Sequence, residues 1–277
     1  MLPTLVIFFR ESLEASLLVG IILAYLQRIG RPDRARPVWA GVGAALVIDL
    51  VVALLTYHLI RQYDGSRMQT ILEGATYLLA AAVLTGMSFW MQGRNRDWKR
   101  ALEQQVAAAL DRGPVLALAL LAALTVGREG LETVFFTLAI AFTAPPPALA
   151  AGAATGLMLG LGVTAAVYRL GRRVPLRLFF QGLGLLLLVF AAGLLADGIE
   201  DFQSLGWLPF LRTAIWHSGA WLNENSTLGD LLHSFFGYAQ APSLLQAGAY
   251  VIFLTWTVTR YLRGAGSSRP LRRSPPA

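Results

Sequence analysis

Three charged side chains fall within five residues twice in this chain, each time inside an apolar stretch: Arg10-Glu11-Ser12-Leu13-Glu14 and Arg128-Glu129-Gly130-Leu131-Glu132. A charge at the centre of a membrane-crossing helix costs about 2.5–3.5 kcal/mol on insertion scales, so such side chains sit where they pair or line a polar cavity. On a helix, the two glutamates of each string are three residues apart and share a face. Each arginine lies four residues before the second glutamate, within pairing reach. Two such helices facing each other would join four carboxylates to two guanidiniums, leaving two formal negative charges when all are ionised. Glu11, Glu14, Glu129 and Glu132 would then form an oxygen-only donor set suited to a hard metal cation. Arg10 and Arg128 would orient and balance them. Buried salt bridges that only fix helix packing would explain the pairing, but not the two extra carboxylates.

The elements that must position these strings are membrane spans. Of 277 residues, 56% are hydrophobic and 14% charged, against about 25% charged in soluble domains. The mean hydropathy is +0.56. This balance argues against a soluble enzyme and for a polytopic helical membrane protein. The absence of cysteine excludes disulfides, thiolate zinc sites and iron–sulfur clusters. Three histidines, His58, His217 and His233, are too few for an imidazole-rich site, and each is expected in a surface or capping role. Apolar runs at about 4–26, 38–60, 69–92, 115–143, 148–168, 178–199 and 241–262 each approach the ~20 residues that cross a bilayer. The first is expected to be a retained span, since no positive region precedes it.

Cation placement orients these spans. Arg28, Arg31, Arg34, Arg36; Arg94, Arg96, Lys99, Arg100, Arg112; Arg169, Arg172, Arg173, Arg177; and Arg260, Arg263, Arg269, Arg272, Arg273 all fall on one side if there are seven spans. Arg61, Arg67 and Arg212 fall on the other. This eighteen-to-three division predicts an external N-terminus and a cytoplasmic C-terminus. It marks topology rather than a nucleic-acid footprint. The expected fold is an all-α membrane protein with a single domain over 1–262 and a basic cytoplasmic tail over 263–277. Spans one to three and four to six would form inverted repeats, with a seventh helix added. Substrate sites in such folds lie near the midplane at the repeat interface. Segment 93–114 repeats Trp98, Leu102, Val106 and Ala109 at helical spacing, predicting an amphipathic helix on the membrane surface. The long outer segment 200–240 is expected to fold over the outer mouth. The ridge Gly152, Gly156 and Gly160 predicts close helix packing.

Further acidic residues are candidates for cation access or relay. Asp49 lies near the centre of span two, as a relay group or a hydrogen-bonding partner for another helix. Glu73 lies toward the outer end of span three. Asp197, Glu200 and Asp201 end span six outside, where they would form an acidic funnel.

The chain resembles the oxidase-dependent iron permeases, a family of fungal high-affinity and bacterial iron permeases. The resemblance rests on both R-E-x-L-E strings, on Glu73-Gly74, on Gly193-Leu194-Leu195 with Gly198-Ile199-Glu200-Asp201-Phe202-Gln203, and on Gly237-Tyr238 with Pro242-Ser243-Leu244-Leu245-Gln246. The first string carries Ser12 where the family usually has glycine. The resemblance implies a non-enzymatic permease of the cell (inner) membrane that imports iron, as Fe3+ after extracytoplasmic oxidation or capture. It implies the motif glutamates as ligands, separate extracytoplasmic iron-binding or oxidising proteins as partners, and no organic cofactor. The alternatives are a permease for another cation such as Mn2+, or an intramembrane enzyme such as a polyprenyl diphosphate phosphatase. The chain lacks the Ser/Arg-rich phosphate site the latter needs.

Overall fold

The computed structural model describes residues 2–63, 65–93, 97–111, 115–142, 145–170, 176–224 and 226–266. These form α1 (Leu2–Arg28), α2 (Ala35–Arg61), α3 (Arg67–Gly93), α4 (Asp97–Asp111), α5 (Val115–Ala141), α6 (Pro146–Leu170), α7 (Leu176–Ser204), α8 (Thr227–Phe236) and α9 (Leu244–Gly266), with one 3-10 turn, Pro32–Arg34, ahead of α2. Seven of the helices have 23–29 residues, long enough to cross a bilayer at 1.5 Å per residue. Four regions, Pro32–Leu59, Arg67–Trp90, Pro146–Arg169 and Gln181–Ser204, are also apolar enough. Arg94, Arg96, Arg112, Arg172, Arg173 and the tail from 267 lie outside the described residues, and so does most of the expected 263–277 tail.

Helix ends shift where local chemistry demands it. The expected sixth span stops at 199, but α7 continues to Ser204. Glu200 and Asp201 are therefore helical residues, not the start of a loop. The last expected span begins at 244 rather than 241, because Pro242 and the Ser243–Gln246 cap precede it: Ser243 Oγ accepts from Gln246 N at 3.1 Å, as an N-cap hydroxyl does.

The packing exchanges partners between the two halves. The most extensive contacts are α1 on α6, α2 on α5 and α3 on α7. If α1–α3 correspond to α5–α7, then α1·α6 maps onto α5·α2, and α3·α7 maps onto itself. Small residues record the directions. On α1 and α6, Gly156 faces Phe8, Gly160 faces Ser12, Thr164 bonds Ser16 (2.6 Å) and Tyr168 covers Gly20. Both helices therefore advance together in steps of four. On α2 and α5, Gly41 meets Ala119, Ala45 meets Gly127 and Asp49 meets Gly130, again in the same sense. On α3 and α7, Gly74 meets Asp201 while Leu78 meets Gly198, so these helices run opposed. Gly156 and Gly160 do the close packing expected of them: a Cβ at Gly160 would lie 2.8 Å from the Phe9 carbonyl.

Two apolar clusters bracket the charged strings. One contains Ile7, Tyr77, Leu84, Phe136, Leu187 and Phe190. The other contains Leu18, Ile22, Leu26, Val38, Leu118 and Val126, closed by Leu102 and Val106 of α4. Along α1 the order is Ile7, Arg10–Glu14, Leu18; along α5 it is Val126, Arg128–Glu132, Phe136. The charged strings therefore lie between the clusters. The expected amphipathic helix is α4, packed on α5 and α1 through its apolar face; the Trp98 side chain lies outside the described residues.

Candidate functional site

Both strings are helical, and α1 meets α5. Within each, the arginine pairs with its own second glutamate: Arg10 Nε to Glu14 Oε1 at 3.1 Å and Arg128 Nε to Glu132 Oε1 at 3.0 Å. The four-residue spacing dictates this local geometry.

The surroundings of the two arginines differ. The Arg10 side chain is 2% exposed, and its Nη1 also donates to Glu11 Oε1 at 2.6 Å and to the Met87 thioether at 2.9 Å. The Arg128 side chain is 45% exposed and its guanidinium lies 4.1 Å from the centroid of the Trp90 ring. Arg10 is thus locked by its fork, and Arg128 is held from one side by an aromatic face.

Three carboxylates converge. Glu11, Glu14 and Glu129 are all buried and place one oxygen each within 4.8 Å of the others. Glu11 Oε2 and Glu129 Oε2 are buried without a hydrogen-bond partner. Buried carboxylate oxygens are ordinarily satisfied, and an oxygen-only donor set of this kind suits a hard cation. Glu132, expected as a fourth member, lies outside this group and is held by Arg128.

Asp49 is buried, with Oδ2 unpartnered, and is pressed onto Gly130. In the corresponding position of the other half, Ser12 of the first string presses onto Gly160 of α6. The departure at Ser12 is thereby explained: each helix pair holds one small residue and one side chain, exchanged between partners.

The acidic residues at the α8 end form a second group. Tyr77 donates to Glu73 at 2.9 Å, Gln246 donates to Glu200 at 2.9 Å, and Asp201 packs over Gly74. Asp197 lines a cleft with Pro3, Tyr77, Leu194, His233 and Ser234. The expectation for His233 needs correction. His58 and His217 are exposed, but His233 is partly buried between Asp197 (3.9 Å) and Glu224 (3.2 Å). Burial opposes its charged form, but Asp197, the Tyr238 carbonyl, Glu224 and Glu200 outweigh it and raise the imidazole above its usual 6.5. The reason is tertiary. Ser226 caps α8 and Gly237 ends it at φ 63°, the left-handed conformation glycine supplies. Gly237 then meets Gly193 of α7 backbone to backbone, where a Cβ on Gly193 would lie 2.9 Å from the Gly237 Cα. One turn from each glycine stand His233 and Asp197. The signal available in sequence was the glycine pair Gly193 and Gly237, which carries no partner information by itself.

A bundle of long apolar helices with buried charges between two apolar layers defines a multi-pass membrane protein, and its convergent carboxylates are suited to handling a cation. The chain belongs to the iron permease FTR1 family, whose family model matches residues 1–264. It is 34% identical over 255 residues to the ferrous iron permease EfeU of Yersinia pestis, covering 90% of this chain and 88% of that one. It is 34% identical over 274 residues to EfeU of Escherichia coli O6:K15:H31, covering 95% and 97%. It is 35% identical over 255 residues to EfeU of Shigella sonnei, covering 90% of each. No solved structure matches. Family membership identifies the protein as an iron permease, a multi-pass transporter of the cell (inner) membrane.

Proposed function

We propose that the protein imports iron through a site between α1 and α5 built from Glu11, Glu14 and Glu129, with Glu132 joining when Arg128 releases it. The observation that carries this reading is the approach of three buried carboxylates within 4.8 Å. Arg10 holds Glu11 and Glu14 in place and offsets part of their charge. All seven long helices cross the membrane, with the N-terminus outside. The helix directions support this: in an alternating chain, spans one and five are parallel, two and four are parallel, and three and six are opposed. The cation division supports the orientation. Iron then meets the site from the α8 end and leaves past α4, with each apolar cluster closing one side in turn, as alternating access requires.

The resemblance implied Fe3+. The relatives are named ferrous permeases, and we take Fe2+ as the form presented outside, handed over by a separate extracytoplasmic iron-binding protein. Mn2+ fits the same oxygen donors and is the competitor to measure. The phosphatase alternative is not the family to which the chain belongs.

Uptake of radioactive iron by proteoliposomes containing the purified protein tests the reading. Iron offered as Fe2+ should accumulate in wild type and fall to the protein-free background in Glu129→Gln. Undiminished uptake in that variant, or Mn2+ transported in preference to iron, would overturn it.

A further inference from the structure

At the α8 end, a second set of donors stands apart from the glutamate centre. The cleft beside Asp197 and His233 is also lined by Pro3 of α1 and by Ala139 and Ile140 of α5. Pro3 lies seven residues from Arg10, and Ala139 seven from Glu132, or about 10 Å along each helix. Ile7 and Phe136, both buried, fill the interval. The cleft is therefore separated from the central carboxylates by one apolar layer.

The imidazole is aimed. His233 Nδ1 lies 2.9 Å from the Tyr238 carbonyl, which can only accept, so Nδ1 carries a proton. Glu224 Oε1 stands at 3.2 Å on the same edge of the ring, and Gln240 N fixes the other Glu224 oxygen at 3.3 Å. A carboxylate and a carbonyl behind Nδ1 are the outer-shell arrangement that orients a metal-binding histidine and makes its other nitrogen a better donor. That nitrogen, Nε2, faces Asp197 Oδ2 across 3.9 Å. The gap is too wide for a hydrogen bond. An ion bonded to nitrogen and oxygen at about 2.1 Å each reaches both. Further carboxylates, Glu73, Glu200 and Asp201, are close enough to Asp197 for their charges to act on one another.

We infer that His233 Nε2 and the Asp197 carboxylate form an outer binding site for a borderline divalent cation, held in the cleft between α7 and α8 one apolar layer away from the glutamate centre. One imidazole with carboxylates suits Fe2+ better than an oxygen-only set does, since imidazole favours the later first-row divalent ions. The chain would thus meet iron first on a nitrogen-containing site and pass it to oxygen donors. Its role as a way station rests on the permease reading; the site itself does not.

The test uses the purified full-length protein in detergent with Mn2+ as a paramagnetic divalent probe, followed by electron spin-echo modulation from a coordinated imidazole nitrogen. Wild type should show the nitrogen signal. It should persist in Glu129→Gln, which disables the central site, and in a variant with both His58 and His217 changed to glutamine. It should vanish in His233→Gln, and Asp197→Asn should weaken Mn2+ binding about tenfold or more. Absence of nitrogen modulation in wild type, its survival in His233→Gln, or its loss with His58 and His217 would each overturn the site. The His58/His217 variant leaves the cleft intact, so the assignment does not depend on whether His233→Gln folds. Full iron uptake by Glu129→Gln together with loss of the nitrogen signal in His233→Gln would sink the glutamate reading and leave this one standing.

Discussion

The Asp49 carboxylate of α2 rests directly on Gly130 of α5, in the space a side chain at position 130 would occupy. Asp49 is buried there with one oxygen unpartnered. The glycine in the second charged string is thus a packing requirement imposed from another helix.

Gly130→Ala should therefore force Asp49 and α2 away from α5, at about 1–3 kcal/mol, the usual range for overpacking. Thermal unfolding of the detergent-solubilised variants reads this. In an Asp49→Ala background the same alanine should cost almost nothing further, because the obstructing carboxylate is gone. Additive losses in the double variant would mean that the two residues do not touch.

The convergence of Glu11, Glu14 and Glu129 orders the glutamate variants. Glu14→Gln and Glu129→Gln should each abolish most bound iron, and the pair together should be hardly worse, since ligands of one ion act as a unit. Glu132→Gln should retain more metal than either. Metal content by mass spectrometry checks the ranking, and half-occupancy in a single variant would indicate two independent sites.

The two arginines should not respond alike. Arg10→Lys keeps the charge but loses the planar fork shared between two buried carboxylates, so transport should fall about tenfold or more with the protein still in the membrane. Arg128→Lys keeps a cation beside Glu132 and Trp90 in an exposed position and should cost only about two- to threefold. Initial uptake rates normalised to protein content decide this. Equal losses would contradict the asymmetry.

The glycine contact that docks α8 should be equally intolerant. Gly193→Ala would put a methyl 2.9 Å from the Gly237 Cα and lift α8 from α7, carrying His233 away from Asp197. A spin label at exposed Leu228 should become more mobile, and proteolysis within 205–226 should speed up. Unchanged label mobility would show that the backbones can part without releasing the helix.

A reporter fused after Arg263 should be cytoplasmic, and one inserted at Ser226 should be external. Finding both on one side would overturn the proposed seven-crossing arrangement, and with it the proposed opposed orientation of the repeated strings.

Much of this protein is local and therefore readable in sequence. Long apolar runs must become helices in lipid, because only internal hydrogen bonding satisfies their backbones. The pairing of Arg10 with Glu14 and of Arg128 with Glu132 follows from a spacing of four on such a helix, and the repeat of the string announces two related halves. The family resemblance rested on those strings together with Glu73-Gly74, the glycine and acidic residues of 193–203, and the 237–246 segment. Tertiary structure alone decided the rest, because it depends on neighbours distant in the chain. That Glu129 joins Glu11 and Glu14 while Glu132 stays outside the group depends on how α1 meets α5, and that Arg10 is buried against Met87 while Arg128 lies exposed over Trp90 depends on α3. That position 12 can be serine while position 130 must be glycine depends on Gly160 and Asp49, one on each partner helix. That His233 leaves the surface for Asp197 depends on Gly193 meeting Gly237, a contact between two backbones that no spacing within either segment encodes.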